Sequence, residues 1–118
     1  MSDRTPQAVQ ACHELIAWLI PQLDRFPRLR RFTLGERLER ALLEVLELLL
    51  EAASTRAKQP ALQRANLRLE VARHLWRLAH ELQALSTRRY AHGAGLMDAL
   101  GRQIGGWLRT SRQGDQAP

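Results

Sequence analysis

LGERLERALLEVLELLLEAAS, residues 34–54, decides the fold. At about 100° per residue, Leu38, Ala41, Leu42, Val45, Leu49 and Ala52 fall on one face, the rhythm of a helix with one side in a core. Leu43, Leu46 and Leu50 fall to one flank and widen the apolar arc to about 220°, against the roughly 100° stripe that a bundle helix needs. Either this helix is the most enclosed in its own subunit, or a second subunit covers the extra leucines. The width of the arc favours a subunit interface.

Outward from this segment, every other stretch reads as helix too. Thr5-Pro6 reads as an N-cap and first helical position, and Val9, Cys12, Ile16, Leu19 and Leu23 keep helical spacing, so a first helix spans about 6–24. Pro21 should kink or tighten its last turn, and Pro27 ends it. Residues 25–32 form a basic connector. Thr33 and Glu36 then have the spacing of a capping box, with Phe32 placed to staple it, so a second helix spans about 34–54. Ser54 to Gln59 is a polar turn, and Pro60 opens a third helix to about residue 85, whose stripe Leu67, Val71, Leu75, Leu78, Leu82 and Leu85 reads as core-facing. Ser86 caps a fourth helix over about 87–109, followed by a tail at 110–118 expected to fray. Gly93 and Gly95 weaken the start of that helix, while Gly101, Gly105 and Gly106 suit close contact with another helix. Short connections force antiparallel neighbours. The expected architecture is one all-α domain over residues 1–118, an antiparallel up-down-up-down four-helix bundle.

Composition agrees with this reading. In 118 residues, aromatic residues make up 5% and hydrophobic residues 45%, with alanine, leucine, glutamate and arginine prominent; such a chain favours helices over sheets and is neither disordered nor collagen-like. Apolar runs such as Leu48 to Leu50 fall far short of the roughly twenty residues that span a bilayer. The start, Met1 to Thr5, carries Asp3 beside Arg4 and lacks a secretory pattern, so a cytoplasmic protein with no membrane partner is expected. Cys12, the one cysteine, shares a face with Ala8, Leu15, Ile16 and Leu19 and reads as core packing.

The formal net charge is +6, from seventeen arginines and Lys58 against twelve acids. Its distribution is uneven. In residues 25–40, six arginines against Glu36 and Glu39 give +4; in 53–80, five arginines and Lys58 against Glu70 give +5; in 41–52, Glu44, Glu47 and Glu51 give −3. Such a balance points to an anionic partner. Arg73 and Arg77 fall on a stripe with Asn66 and His80, expected to face outward, whereas Arg64 and Arg68 lie nearer the acidic stripe of the second helix and are candidates to pair with it. The expected contact residues are therefore Arg73 and Arg77 first, then Arg28, Arg30, Arg31 and Arg37. The few aromatics fall mostly on core faces, so binding would be electrostatic and weakly sequence-selective.

No catalytic or metal pattern emerges. His13, His74, His80 and His92 show no metal-ligand spacing, and Glu70 and His74 are four apart rather than the three of a di-iron bundle. The glycines do not form a phosphate loop after a strand, and no nucleophile elbow is present. No enzyme activity, metal or cofactor is expected.

Two blocks, RFTLGER at 31–37 and GGWLR at 105–109, together with the placement of Pro21 and Pro27, resemble the accessory variability determinant (Avd) proteins of diversity-generating retroelements. The likeness runs from the first helix to Arg109. More loosely, the chain is similar to the four-helix proteins encoded in ribosomal-RNA intervening sequences. The resemblance implies a homopentameric barrel of four-helix subunits with a basic surface. It further implies binding to reverse transcriptase and to RNA or DNA, in support of mutagenic copying of a template RNA, without catalysis by this chain. Within the blocks, Thr33, Gly35 and Glu36 would start the second helix, and Gly105, Gly106 and Trp107 would pack the fourth. The expected oligomer interface comprises Leu43, Leu46, Leu50, Gly101 and Gly105. The rival readings are a helical assembly or adaptor protein whose basic surface meets an acidic protein, and a ribosomal-RNA intervening-sequence four-helix protein of unknown role.

Overall fold

The computed structural model describes the backbone of residues 6–116 and the side chains of residues 6–112. Helix α1 is Gln7–Leu23. Helix α2 begins as Arg28–Arg30, passes through a π-helical turn at Arg31–Gly35, and continues as Glu36–Ala53. Helix α3 is Gln59–Glu81 and helix α4 is Thr87–Gln116. Successive helices pack side by side and α4 returns against α1, closing a four-helix bundle. There is no strand among the described residues, and none of the described helices is long and apolar enough to cross a membrane.

The six core positions read on the second helix, Leu38, Ala41, Leu42, Val45, Leu49 and Ala52, are all buried. Cys12 is also fully buried, and desolvation pushes its thiol up to about 12. It stays protonated and serves as packing. Near Pro21 the chain tightens as expected. The Arg25 and Phe26 amides bond the Gln22 and Leu23 carbonyls, three residues back, at 3.1 and 3.0 Å.

Several boundaries differ from the sequence reading, each for a local reason. The second helix starts six residues early. Pro27 opens it, and its carbonyl accepts from the Arg30 and Arg31 amides at 2.8 and 2.9 Å. Thr33 is therefore inside a helix and caps nothing. Its hydroxyl donates back to the Leu29 carbonyl at 3.0 Å, the ordinary habit of an interior threonine. The capping box is absent, and Phe32, 60% exposed, makes no staple. The π turn inserts extra backbone at this point, which re-registers the helix before its leucine-rich stretch begins.

The third helix stops at Glu81 rather than 85. Gln83 adopts φ 64°, the Ala84 amide bonds the Ala79 carbonyl at 2.8 Å and the Gln83 amide bonds that of His80 at 3.0 Å. This is a left-handed helix terminus with glutamine in a place where glycine is usual. Ser86 then caps α4 as expected, its hydroxyl accepting from the Arg89 amide at 3.2 Å. Thr110 to Gln116, expected to fray, continue α4. Thr5, the expected first cap, and residues 117–118 of the tail lie outside the described residues.

The largest departure concerns which face of α3 is buried. The core stripe is Ala61, Leu62, Ala65, Leu69, Ala72, Trp76 and Ala79. The expected stripe lies outside: Leu67 is 62% exposed, Leu78 43% and Leu82 47%. Val71 is exposed with them and Leu75 is half-buried, while Leu85 is buried in the turn beyond the helix. On the helical wheel the leucine stripe shares its arc with Arg64 and borders Arg68 and His74, whereas the alanine–tryptophan arc carries no charge through its centre. Desolvating a guanidinium costs more than a few leucine contacts return, so the charge-free arc turns inward.

Candidate functional site

The arginines divide into those bound to carboxylates and those left without one. Arg64 reaches Glu51 at 3.2 Å and Arg68 reaches Glu44 at 3.3 Å, tying α3 to the acidic edge of α2 as their spacing suggested. Arg73, ranked first from the sequence, contacts Asp98 of α4 at 2.6 Å and Glu70 at 3.7 Å. It spans two helices rather than standing free. Arg77 pairs with Glu81 one turn on at 3.1 Å, and Arg31 lies 3.4 Å from Asp24 and 3.8 Å from Glu39.

Arg28, Arg30 and Arg37 differ. Among the described residues no carboxylate lies within 4 Å of any of them, nor of Arg25 and Arg40. The N-terminal turns of α2 carry most of this group, so it collects at the end of the bundle where α1 passes to α2 and α3 to α4. Arg89 joins the same end. Its guanidinium donates to the Gln22 side-chain oxygen at 2.8 Å and to the Gln22 carbonyl at 2.9 Å, closing the C-terminus of α1. Desolvation, and then repulsion from Arg25, lower its pKa, so burial comes first and the neighbouring guanidinium second. The α1–α4 tie through Arg89 has no sequence signal, because its two partners are 67 residues apart.

Next to this end is an aromatic cluster. Trp76, 1% exposed, donates its indole N–H to the Tyr90 carbonyl at 2.9 Å. The Trp18 ring meets it edge-on at 6.1 Å and the Phe26 ring stacks at 6.4 Å. Gly93 faces the indole so closely that a Cβ there would lie 2.7 Å from three ring atoms. The glycine that seemed to weaken α4 is what lets α4 lie against Trp76.

The expected interface residues are dispersed. Leu43 and Leu50 are 39% and 50% exposed, whereas Leu46 packs half-buried against the core. Gly101 sits under the Arg73 guanidinium, 3.3 Å from a built Cβ, while a Cβ on Gly105 would meet nothing within 4 Å. Within the subunit, therefore, Gly105 and Gly106 do not mediate close helix packing. Beyond the sequence-derived set, the structure adds Leu67, Leu78 and Leu82 to the exposed apolar surface. It also adds Arg102 and Arg109 to the exposed residues with no carboxylate among the described residues within 4 Å.

Among the described residues no group of three or more histidine, cysteine or acidic side chains is placed to hold a metal ion. No curated protein matches the chain. A family model described as bAvd-like matches residues 8–111, from the first turn of α1 to the last turns of α4, and includes both sequence blocks. The chain therefore belongs to the bAvd-like family, the accessory variability determinant proteins that RFTLGER and GGWLR resemble.

Proposed function

We propose that the chain is a non-catalytic accessory protein of a diversity-generating retroelement, working in the cytoplasm as a homopentamer. It binds the reverse transcriptase and nucleic acid and supports mutagenic copying of a template RNA. The observation that carries this reading is the family match over residues 8–111. The unneutralised arginines of α2 supply a physical means of holding a polyanion, and the exposed leucines of α2 and α3 supply apolar surface for neighbouring subunits or the polymerase.

The contact set is weighted toward Arg28, Arg30 and Arg37, with Arg25 and Arg40 beside them. Arg77 is 63% exposed in its side chain. Exposed ion pairs contribute about 0–1 kcal/mol, so phosphate competes readily for it. Arg31 and Arg73, each held by two carboxylates, serve mainly to fix the frame.

The test is binding of the full chain to single-stranded RNA and DNA across a salt series. Six or more phosphate contacts predict roughly a 10³-fold loss of affinity between 50 and 200 mM salt. The triple substitution Arg28→Ala, Arg30→Ala, Arg37→Ala should weaken binding and flatten that slope while leaving the helical signal intact. Salt-independent or absent binding would instead favour an adaptor that docks on an acidic protein.

A further inference from the structure

In the GGWLR block Trp107 and Leu108 pack against the core, but Gly105 and Gly106 have no packing role inside the subunit. At the opposite end of the bundle from the α2 arginines, where α1 begins and α2 ends, lies an open depression of about 810 Å³. Its described lining includes Lys58, Arg102, Gln103, Gly106, Trp107 and Arg109, and no described lining residue is a carboxylate. Three cations thus line one concavity with no carboxylate among its described lining residues. Lys58 is fixed at the rim, its ammonium donating to the Ala52 and Thr55 carbonyls at 2.8 and 2.6 Å. Arg102 and Arg109, seven residues apart and on one side of α4, also line an adjoining groove of about 710 Å³ that passes Gly101 and Gly105.

Gln103 also lines the depression, its side-chain oxygen enclosed by protein and without a hydrogen-bond partner among the described residues. The glycines at 105 and 106 are not required by backbone conformation, since no glycine has positive φ. Nor are they required by close packing inside the subunit: a Cβ at Gly105 would meet open space, and one at Gly106 only the Arg109 guanidinium at 3.8 Å. Glycine inside a helix is destabilising relative to alanine. What it provides here is a low floor where a flat group can approach the backbone.

We propose that this depression takes one nucleotide of a single-stranded nucleic acid. Arg102 and Arg109 hold the phosphate, and the Trp107 indole takes the base. Guanidinium forks suit phosphate oxygens, and a base stacked on an aromatic ring beside a cationic groove is the usual means of holding single strands. The volume lies within the range of small-ligand sites. The inference rests on the nucleic-acid reading above and adds to it a second contact region, distinct from the α2 arginines, with a preference for unpaired strands.

The experiment titrates the full chain at low salt with a short single-stranded RNA, with a duplex of the same length, and with a polyglutamate peptide, following tryptophan emission and anisotropy of a labelled strand. The single strand should quench emission and the duplex should not. Arg102→Ala with Arg109→Ala, both exposed residues, should weaken the single strand by about tenfold or more. Trp107→Phe should remove the quenching while the protein stays folded. If the double variant binds the single strand as tightly as the parent, the pocket assignment is overturned while the nucleic-acid reading stands. If the parent binds no nucleic acid at all, both fall. Equal quenching by polyglutamate overturns the nucleotide in favour of an acidic protein segment.

Discussion

At the residue scale, Gly93 shows how a single absent side chain positions a helix. Trp76 cannot retreat from it, because the indole is buried, bonded to the Tyr90 carbonyl and enclosed by Trp18 and Phe26. Gly93→Ala would gain roughly 1 kcal/mol in helix propensity and lose more to overpacking, which typically costs about 1–3 kcal/mol. The net expectation is a destabilised protein despite the better helix former, read as a lowered denaturation midpoint. Gly105→Ala provides the contrast. With open space at its Cβ, it should raise the midpoint, and its cost would appear only in ligand binding. The sequence read Gly93 as weakening the helix and Gly105 as suited to close contact. Inside the subunit the close contact falls on Gly93 instead, against a tryptophan seventeen positions away in the chain.

At the scale of the element, α3 carries two apolar stripes, and only one can face the core. Leu69, 1% exposed, and Leu67, 62% exposed, are two residues apart and differ in fate. Leu69→Ala should cost about 2–5 kcal/mol, the range for a leucine cavity in a packed core. Leu67→Ala should change the stability of the folded subunit by no more than about 0.5 kcal/mol. Chemical denaturation of the two variants checks the assignment, and equal losses would mean that the leucine stripe is internal after all. The sequence favoured the bulkier stripe. What decides is the charge carried along with each: burying Leu67, Val71 and Leu78 would draw Arg64 inward, while α3 as folded sends Arg64 and Arg68 to Glu51 and Glu44.

At the scale of the whole molecule, the bundle exposes leucine on the α2 and α3 layer, at Leu43, Leu50, Leu67, Leu78 and Leu82. The ion pairs linking the two helices run between these patches. In the proposed assembly a neighbouring subunit covers this apolar surface. Leu50→Glu combined with Leu78→Glu should lower the assembly mass measured by light scattering while preserving the helical signal. An unchanged mass would place the subunit contacts elsewhere, and a parent that is itself monomeric would remove the proposed pentamer. Charge follows a similar large-scale logic. Four of the described arginines, Arg31, Arg64, Arg68 and Arg73, link separate segments through carboxylates, and most of the remainder collect toward the two ends.

By itself the sequence determined the helices, their order and the core of the second helix, because apolar periodicity and short connections are local properties written along the chain. The family was legible as well, through two short blocks confined to residues 31–37 and 105–109. Tertiary structure alone decided which stripe of α3 turned inward, where α2 began, and which arginines found carboxylates. Those outcomes depend on distances between groups far apart in sequence: Arg73 and Asp98, Arg89 and Gln22, Trp76 and Gly93. Periodicity assigns each side chain to a face of its own helix, but the neighbour it meets there is set by how four helices share one core and keep their charges in water.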